Sequence, residues 1–440
     1  MNESALHRTV ARVVAVRPGE TRALLWSFAY FFCLLAGYYV LRPVRDEMGL
    51  ASGIKNLPWL FTATFFVMLA VVPMYGALVA RLPRQRFIPL VYHFFVANIL
   101  VFWMLLTMLP KGMALTATAQ VFFVWISVFN LFAVSVFWSF MADLYGSEQG
   151  KRLFGFIAAG GSAGALLGPA MAAGLAVPIG RANLLIIAAL LLECAVFCAL
   201  RLEAAAAAFK AERTNGAAIK PDAALGGSWM AGMVMIARSK YLAGIALWVA
   251  LLSLAGTFLY FQQAHIVAAL TDDPNQRTAI FARIDLAVSL LTILVQFLAT
   301  GKLIKRFGAG PATAFLPLVF AIGFIALWAT PVLWVVIAFQ ALQRAANFAL
   351  SNPAREVLFT VVEREEKYKA KNVIDNVVFR GSDALFGWVF AALRGAGMEL
   401  GAISLATVPV TAAWLALALM LGRMHENRSS GNAALIEKNL

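Results

Sequence analysis

The chain has 440 residues, 62% of them hydrophobic and 13% charged, with a mean hydropathy of +0.81 and a net charge of +14. Soluble domains run closer to half apolar and a quarter charged, so a soluble globular protein is excluded. No long segment alternates polar with apolar residues, which excludes a β-barrel and leaves an all-α integral membrane protein.

Residues 1–21 carry His7, Arg8, Arg12 and Arg17 and no apolar core. They read as a cytoplasmic amphipathic segment lying on the membrane, not as a secretory signal. Stretches of about 20 apolar residues, enough to cross a bilayer, then follow at 22–41, 57–80, 87–109, 115–140, 153–178 and 182–200. They resume at 241–264, 279–301, 311–329, 332–352, 371–393 and 401–422. The pattern predicts twelve transmembrane helices in two six-helix halves, 22–200 and 241–422. A cytoplasmic linker, 201–240, joins them, and 423–440 form a cytoplasmic tail. The linker is Ala-rich at first and turn-rich later, and it ends on an apolar stripe of Trp229, Met233 and Ile236 suited to the membrane surface.

Lys and Arg crowd alternate loops, at Arg81, Arg84 and Arg86, at Lys151 and Arg152, along the linker, at Lys302, Lys305 and Arg306, and from Arg355 to Lys371. The positive-inside rule then puts both termini in the cytoplasm, here of a bacterial inner membrane. Because the positive charge sits in short loops between spans, no nucleic-acid partner is expected. The partners expected are the lipid bilayer and a small anionic substrate, with the chain as a monomer.

Span one closes on Tyr38–Gly49, YYVLRPVRDEMG, where Arg42, Arg45, Asp46 and Glu47 crowd together. In a continuous helix Arg42, Arg45 and Asp46 share one face. A charge at mid-bilayer costs about 2.5–3.5 kcal/mol on insertion scales, so these residues are read as facing a watery cavity. The same argument selects Arg283 and Asp285 in span eight, Arg344 in span ten, and Asp375, Arg380 and Asp383 in span eleven. Asp375, Phe379 and Asp383 are predicted to share a face. Glu193 has only apolar neighbours in sequence and is left out. Arg suits an anionic ligand because its planar fork binds phosphate or carboxylate in bidentate fashion and stays charged at physiological pH.

Span five carries Gly160, Gly164 and Gly168, a spacing that lets a neighbouring helix approach closely. Cys33, Cys194 and Cys198 lie in apolar runs without further metal ligands nearby and read as small buried hydrophobes. No phosphate-binding G-x-x-x-x-G-K-[ST], no H-E-x-x-H and no nucleophile–base spacing occurs in the sequence. Neither enzymatic activity nor a metal or other cofactor is expected.

After span two comes GALVARLPRQR (Gly76–Arg86) and after span eight GKLIKRFGAG (Gly301–Gly310). Both resemble the G-x-x-x-D-R/K-x-G-R/K loop of the major facilitator superfamily, with Ala80 and Lys305 at the Asp position. Three longer stretches resemble the ATP/ADP antiporter family of nucleotide transporters. They are LRPVRDEMG at Leu41–Gly49, FWSFMADLYGSEQGKRLFGFIAAGGSAGA at Phe137–Ala165, and REVLFTVVEREEKYKAKNVIDNVVFR at Arg355–Arg380. The resemblance implies a twelve-helix facilitator fold and exchange of nucleotides across a membrane. It puts Arg45 at the position of a substrate-phosphate Lys, with Asp46 as its acidic neighbour. Where that family has a Glu in span four, this chain has apolar residues near Ile126, with Asn130 the nearest polar side chain. Where it has a Lys in span eleven, Asp383 stands close by, with Arg380 three residues earlier.

The function expected is secondary active transport of an organic anion, of nucleotide type or a smaller phosphorylated or carboxylated metabolite. Two other readings stay open: a proton-coupled transporter of a neutral or cationic compound, in which Asp46, Asp285, Asp375 and Asp383 carry protons, and a membrane scaffold that transports nothing.

Overall fold

The computed structural model describes residues 11, 14–17, 19–81, 84–213, 229–307 and 309–438, with side chains described outside 76–86, 147, 207–231, 295–310, 349, 364–365, 368 and 431–438. Most of the N-terminal segment, the middle of the linker and the side chains of both basic loop repeats therefore lie outside the described residues.

The described chain is helical, with short 3-10 and π turns and no strand among the described residues. Among the described residues, nine helices are long and apolar enough to cross a membrane. Six belong to the first half of the chain: α1 (Thr21–Ala51), α2 (Leu57–Arg81), α3 (Arg84–Met108), α4 (Met113–Leu144), α5 (Ser147–Ile179) and α6 (Asn183–Arg213). A short amphipathic helix, α7 (Trp229–Arg238), precedes α8 (Lys240–Leu270). The next is α9 (Pro274–Phe307), followed by α10 (Ala309–Ala329), and the chain ends in α15 (Leu400–Lys438). α8, α10 and α15 complete the nine.

The other three expected spans are also helical, and they carry the selected charges that lie outside span one. α9 holds Arg283 and Asp285. Span ten is built from α11 (Leu333–Ala346), a π turn at Asn347–Ser351 and α12 (Asn352–Leu358). Span eleven is α13 (Arg364–Val373), a π turn at Ile374–Val378 and α14 (Phe379–Gly395). Pro353 offers no N–H to the carbonyl of residue 349, and the wider turn before it absorbs the mismatch. Large apolar side chains such as Trp59, Phe66, Leu90, Phe94 and Trp334 are exposed along the helices, as a lipid-facing surface requires.

The chain forms two compact units. The first comprises Met1–Ser52, Ala70–Asp222 and Asp272–Leu286; the second comprises Gly53–Leu69, Ala223–Thr271 and Ala287–Leu440. In the first, α1 lies against the backbone of α5. A Cβ on Gly160 would stand 2.5 Å from the Phe28 carbonyl oxygen, and one on Gly168 2.6 Å from that of Ala36; at Gly164 it would meet the Phe32 carbonyl. The small-residue stripe predicted from sequence is thus a close helix contact, and its partner is α1. Aromatic rings fill the rest of this core, with Tyr30 stacked edge-on against Phe137. The buried Tyr30 hydroxyl donates to Tyr92 Oη at 2.6 Å, and Tyr92 donates to the Ala133 carbonyl at 3.2 Å, so neither polar group is stranded.

In the second unit Trp248, Trp414, Phe320 and Phe339 form the centre, where α10 packs along α15. α7 packs against α13 through Gly232, whose Cβ position lies 2.6 Å from the Lys369 carbonyl oxygen. Met233 is exposed and Ile236 half-buried.

Candidate substrate site

α1 stays helical through Tyr38–Gly49 despite Pro43. Pro43 gives no hydrogen bond to the carbonyl of Tyr39, which leaves that oxygen free for other partners beside Arg42. In the first unit Arg42 Nη1 lies 3.4 Å from Asp285 Oδ1. The Arg42 guanidinium also stands 5.8 Å from the centre of the Tyr39 ring. One turn on, Arg45 Nη1 donates to Asp46 Oδ1 at 3.1 Å. Its guanidinium covers the Phe123 ring of α4 at 3.9 Å, a cation–π contact that fixes the fork. The Arg45 Nε–H is buried with no acceptor among the described residues. Next to it, Glu47 is 0% exposed and pairs with Arg181 of the α5–α6 turn. The Arg181 backbone N–H donates to Asn275 Oδ1 at 2.9 Å.

Arg42, Arg45, Asp46 and Asp285 are therefore brought together. Arg283 is not. Two residues along a helix turn the side chain to the far side, and Arg283 is exposed while Asp285 is buried.

The second unit holds the other charges in two places. Asp375, in the π turn, meets Arg355 of α12, with Arg355 Nη1 at 3.0 Å from Oδ1. Lys371 Nζ and Glu356 pair alongside at 2.6 Å. Asp383, two turns further, faces α8 instead. Its Oδ1 is 2.6 Å from Ser253 Oγ and 3.2 Å from Thr257 Oγ1. Its Oδ2 is 3.7 Å from Arg380 Nη1. Sequence periodicity put Asp375 and Asp383 on one face, but the π turn intervenes with a wider repeat than 3.6 residues, and the two carboxylates engage different helices. Arg344 is half-buried in the last turn of α11.

Three features escaped the sequence reading. Ser253 and Thr257 are small hydroxyls inside an apolar run, and nothing in sequence ties them to Asp383. A buried amide chain links α8 to α11: Gln340 Nε2 donates to Gln263 Oε1 at 2.8 Å, and Gln343 Nε2 to Gln340 Oε1 at 3.0 Å. The adjacent pair Gln262–Gln263 at the end of span seven was the available signal. Glu193, set aside for its apolar neighbours, lies 3.4 Å from His93 Nε2 of α3, a partner distant in sequence.

Chemically, the first unit presents two guanidinium groups, each held by one carboxylate. Such pairs orient the fork and still leave N–H groups over, so an incoming phosphate or carboxylate can be bound without reorganising the helix.

No family model matches the chain. No curated protein matches it either. Solved structures do resemble it. A bacterial homologue of the human lysosomal transporter Spinster, in an inward-facing and unoccupied conformation, aligns with TM-score 0.55 and 15% identity over 93% of this chain and 94% of that one. The nucleoside transporter NupG aligns with TM-score 0.61 and 12% identity over 92% of this chain and 99% of that one. The fold is of the major facilitator type. This agrees with the all-α membrane fold expected from composition and span count, and at these identities the likeness concerns the fold alone.

Proposed function

We propose that this protein is a secondary transporter of an organic anion, working by alternating access between the halves 22–200 and 241–422, in a bacterial inner membrane with both termini cytoplasmic. The observation that carries the reading is Arg45. It is a guanidinium within a membrane helix, braced by Asp46 and Phe123, with a buried Nε–H that has no acceptor among the described residues. An unsatisfied charged donor in such a place is costly, and an anionic ligand supplies the missing acceptor. The similarity of Leu41–Gly49 and Arg355–Arg380 to the ATP/ADP antiporters supports a nucleotide as the anion. The facilitator fold supports transport, as both named structural neighbours are called transporters.

The test is thermal stabilisation of the purified protein by ATP, ADP, other nucleotides, phosphate esters and dicarboxylates, each repeated with Arg45→Ala. Ligand at a hundred times its dissociation constant adds about 2.7 kcal/mol. A nucleotide shift lost in Arg45→Ala supports nucleotide transport. A shift from a smaller anion alone keeps the anion site and replaces the substrate. No shift with any anion removes the reading. Saturable flux of the binding anion into proteoliposomes then separates a transporter from a scaffold.

A further inference from the structure

Two ionisable side chains sit where the surface is otherwise apolar. His93 of α3 and Glu193 of α6 both belong to the first unit. Their Nε2 and Oε2 atoms lie 3.4 Å apart, and the side chains are 55% and 41% exposed. Leu90 and Phe94 beside the imidazole, and Leu190 and Phe197 beside the carboxyl, are exposed as well. The nearest basic residues towards the helix ends are Arg86, seven residues before His93, and Arg201, eight residues after Glu193. At about 1.5 Å per residue they stand roughly 10–12 Å away, so the pair lies inside a hydrocarbon core about 30 Å thick. It is turned outward at a depth where hydrocarbon, not water, is the default neighbour.

The pair does not satisfy itself. His93 Nδ1 lies 2.6 Å from the Pro89 carbonyl oxygen, which can only accept, so Nδ1 carries a hydrogen and Nε2 is the nitrogen turned to Glu193. One proton is then shared between Nε2 and Oε2. The other carboxyl oxygen, Oε1, accepts from no donor among the described residues. Little more than a turn along α3, Asn98 repeats the pattern. Its Nδ2 donates one hydrogen to the Phe94 carbonyl at 2.7 Å, while the second amide hydrogen and Oδ1 have no partner among the described residues. Polar groups within a membrane are costly unless paired, and Asn, His and carboxyl side chains find such partners on neighbouring spans. Ala97 and Cys194, both small and exposed, leave room for a neighbouring span to come close.

We propose that this face of α3 and α6 is the contact between two copies of the chain related by a two-fold axis, in place of the monomer expected from sequence. A two-fold contact requires a surface that complements itself, and this one does. Each copy brings spare acceptors, Glu193 Oε1 and Asn98 Oδ1, and spare donors, the second Asn98 amide hydrogen and the Nε2–H of a charged His93. Across the axis His93 meets the partner's Glu193 and Glu193 meets the partner's His93, so positive faces negative twice and four side chains close one ring. A different membrane protein would have to carry the same groups at the same depth, whereas a second copy carries them in register. The proposal is independent of the anion reading.

The test counts chains in a bilayer. Full-length protein carrying one dye at a C-terminal tag is reconstituted into phosphatidylethanolamine–phosphatidylglycerol liposomes over a dilution series, and bleaching steps are counted vesicle by vesicle. Wild type should bleach in two steps, and the double variant His93→Leu with Glu193→Leu should associate at least tenfold more weakly. Leucine suits a lipid-facing position, so the double variant should fold with a thermal midpoint at or above that of wild type. A second measurement uses the wild-type side chains alone. Cys194 is exposed beside Glu193, whereas Cys33 is half-buried and Cys198 buried. A bismaleimide should therefore link wild-type chains in membranes to twice their mass and leave Cys194→Ala unlinked. One-step bleaching of wild type at every density would overturn the proposal, as would a double variant that pairs as tightly as wild type, or a dimer linked equally well in Cys194→Ala. A monomeric wild type that carries a lipid or other amphiphile, seen by mass spectrometry and lost in the double variant, would give the pair to that molecule and overturn the dimer.

Discussion

Arg42 and Asp285 lie far apart in sequence and form an ion pair within one compact unit, Nη1 to Oδ1 at 3.4 Å, with Asp285 almost wholly buried. The unit includes the first turns of α9 because of contacts such as this one, together with Ala279 and Ala282 in the shared apolar core. Removing one partner of a buried pair strands the other and costs about 3–5 kcal/mol. Asp285→Ala should lower the thermal midpoint of the purified protein markedly. The exchanged pair, Arg42→Asp with Asp285→Arg, should recover a large part of the loss. A double-mutant cycle on unfolding measures the coupling, and additive losses would show that the pair contributes nothing of its own.

Arg45 makes a sharper demand, because its charge and its shape can be separated. Arg45→Lys keeps the positive charge and loses the planar fork over Phe123. It should insert and fold as wild type and bind the preferred anion about tenfold more weakly, or about 1.4 kcal/mol. Arg45→Ala should lose the anion altogether. Equal affinities for wild type and Arg45→Lys would mean that charge alone attracts the ligand.

Much of this molecule is written in its hydropathy. The span positions, the helical class and the close-packing role of Gly160, Gly164 and Gly168 follow from local pattern, because a bilayer forces every backbone group into helix and small residues mark tight contacts. Arg42, Arg45 and Asp46 are legible because charge in a span is costly. What sequence hides is partner choice across helices. Asp285 meets Arg42, Asp383 meets Ser253 and Glu193 meets His93, all long-range pairs that no local period encodes. The π turn at Ile374–Val378 hides something else, since it breaks the 3.6-residue repeat on which face assignments rest.

The α1–α5 contact predicts opposite outcomes for two glycines of one helix. A methyl group on Gly164 runs into the Phe32 carbonyl of α1, whereas Gly174 has nothing within 4 Å of its Cβ position. Gly164→Ala should destabilise by about 1–3 kcal/mol through forced separation of the helices. Gly174→Ala should be neutral or stabilise by up to about 1 kcal/mol, since Ala is the better helix former. Thermal unfolding of the two variants side by side checks the contrast. Equal shifts would mean that α5 does not press on α1.

Glu20 predicts the acid limb of stability. It precedes α1 and is 5% exposed. Its carboxylate accepts from Gln149 Nε2 at 2.9 Å, from the Arg17 backbone N–H at 2.9 Å and from Arg152 Nη2 at 3.1 Å. Burial pushes its pKa up, but the bonds from Arg152, Arg17 and Gln149 together outweigh it and hold the group below the ordinary carboxylate range. A carboxyl whose pKa is depressed on folding stabilises above its unfolded pKa, and that stability is lost as pH falls through the folded value. The thermal midpoint of wild type should therefore be flat near neutral pH and drop in acid, below the ordinary range. Glu20→Gln should start lower at neutral pH, because it keeps one acceptor and loses the charge that Arg152 faces. Its midpoint should then fall less steeply on acidification, so the two curves converge. Parallel curves would assign the acid sensitivity to other carboxylates.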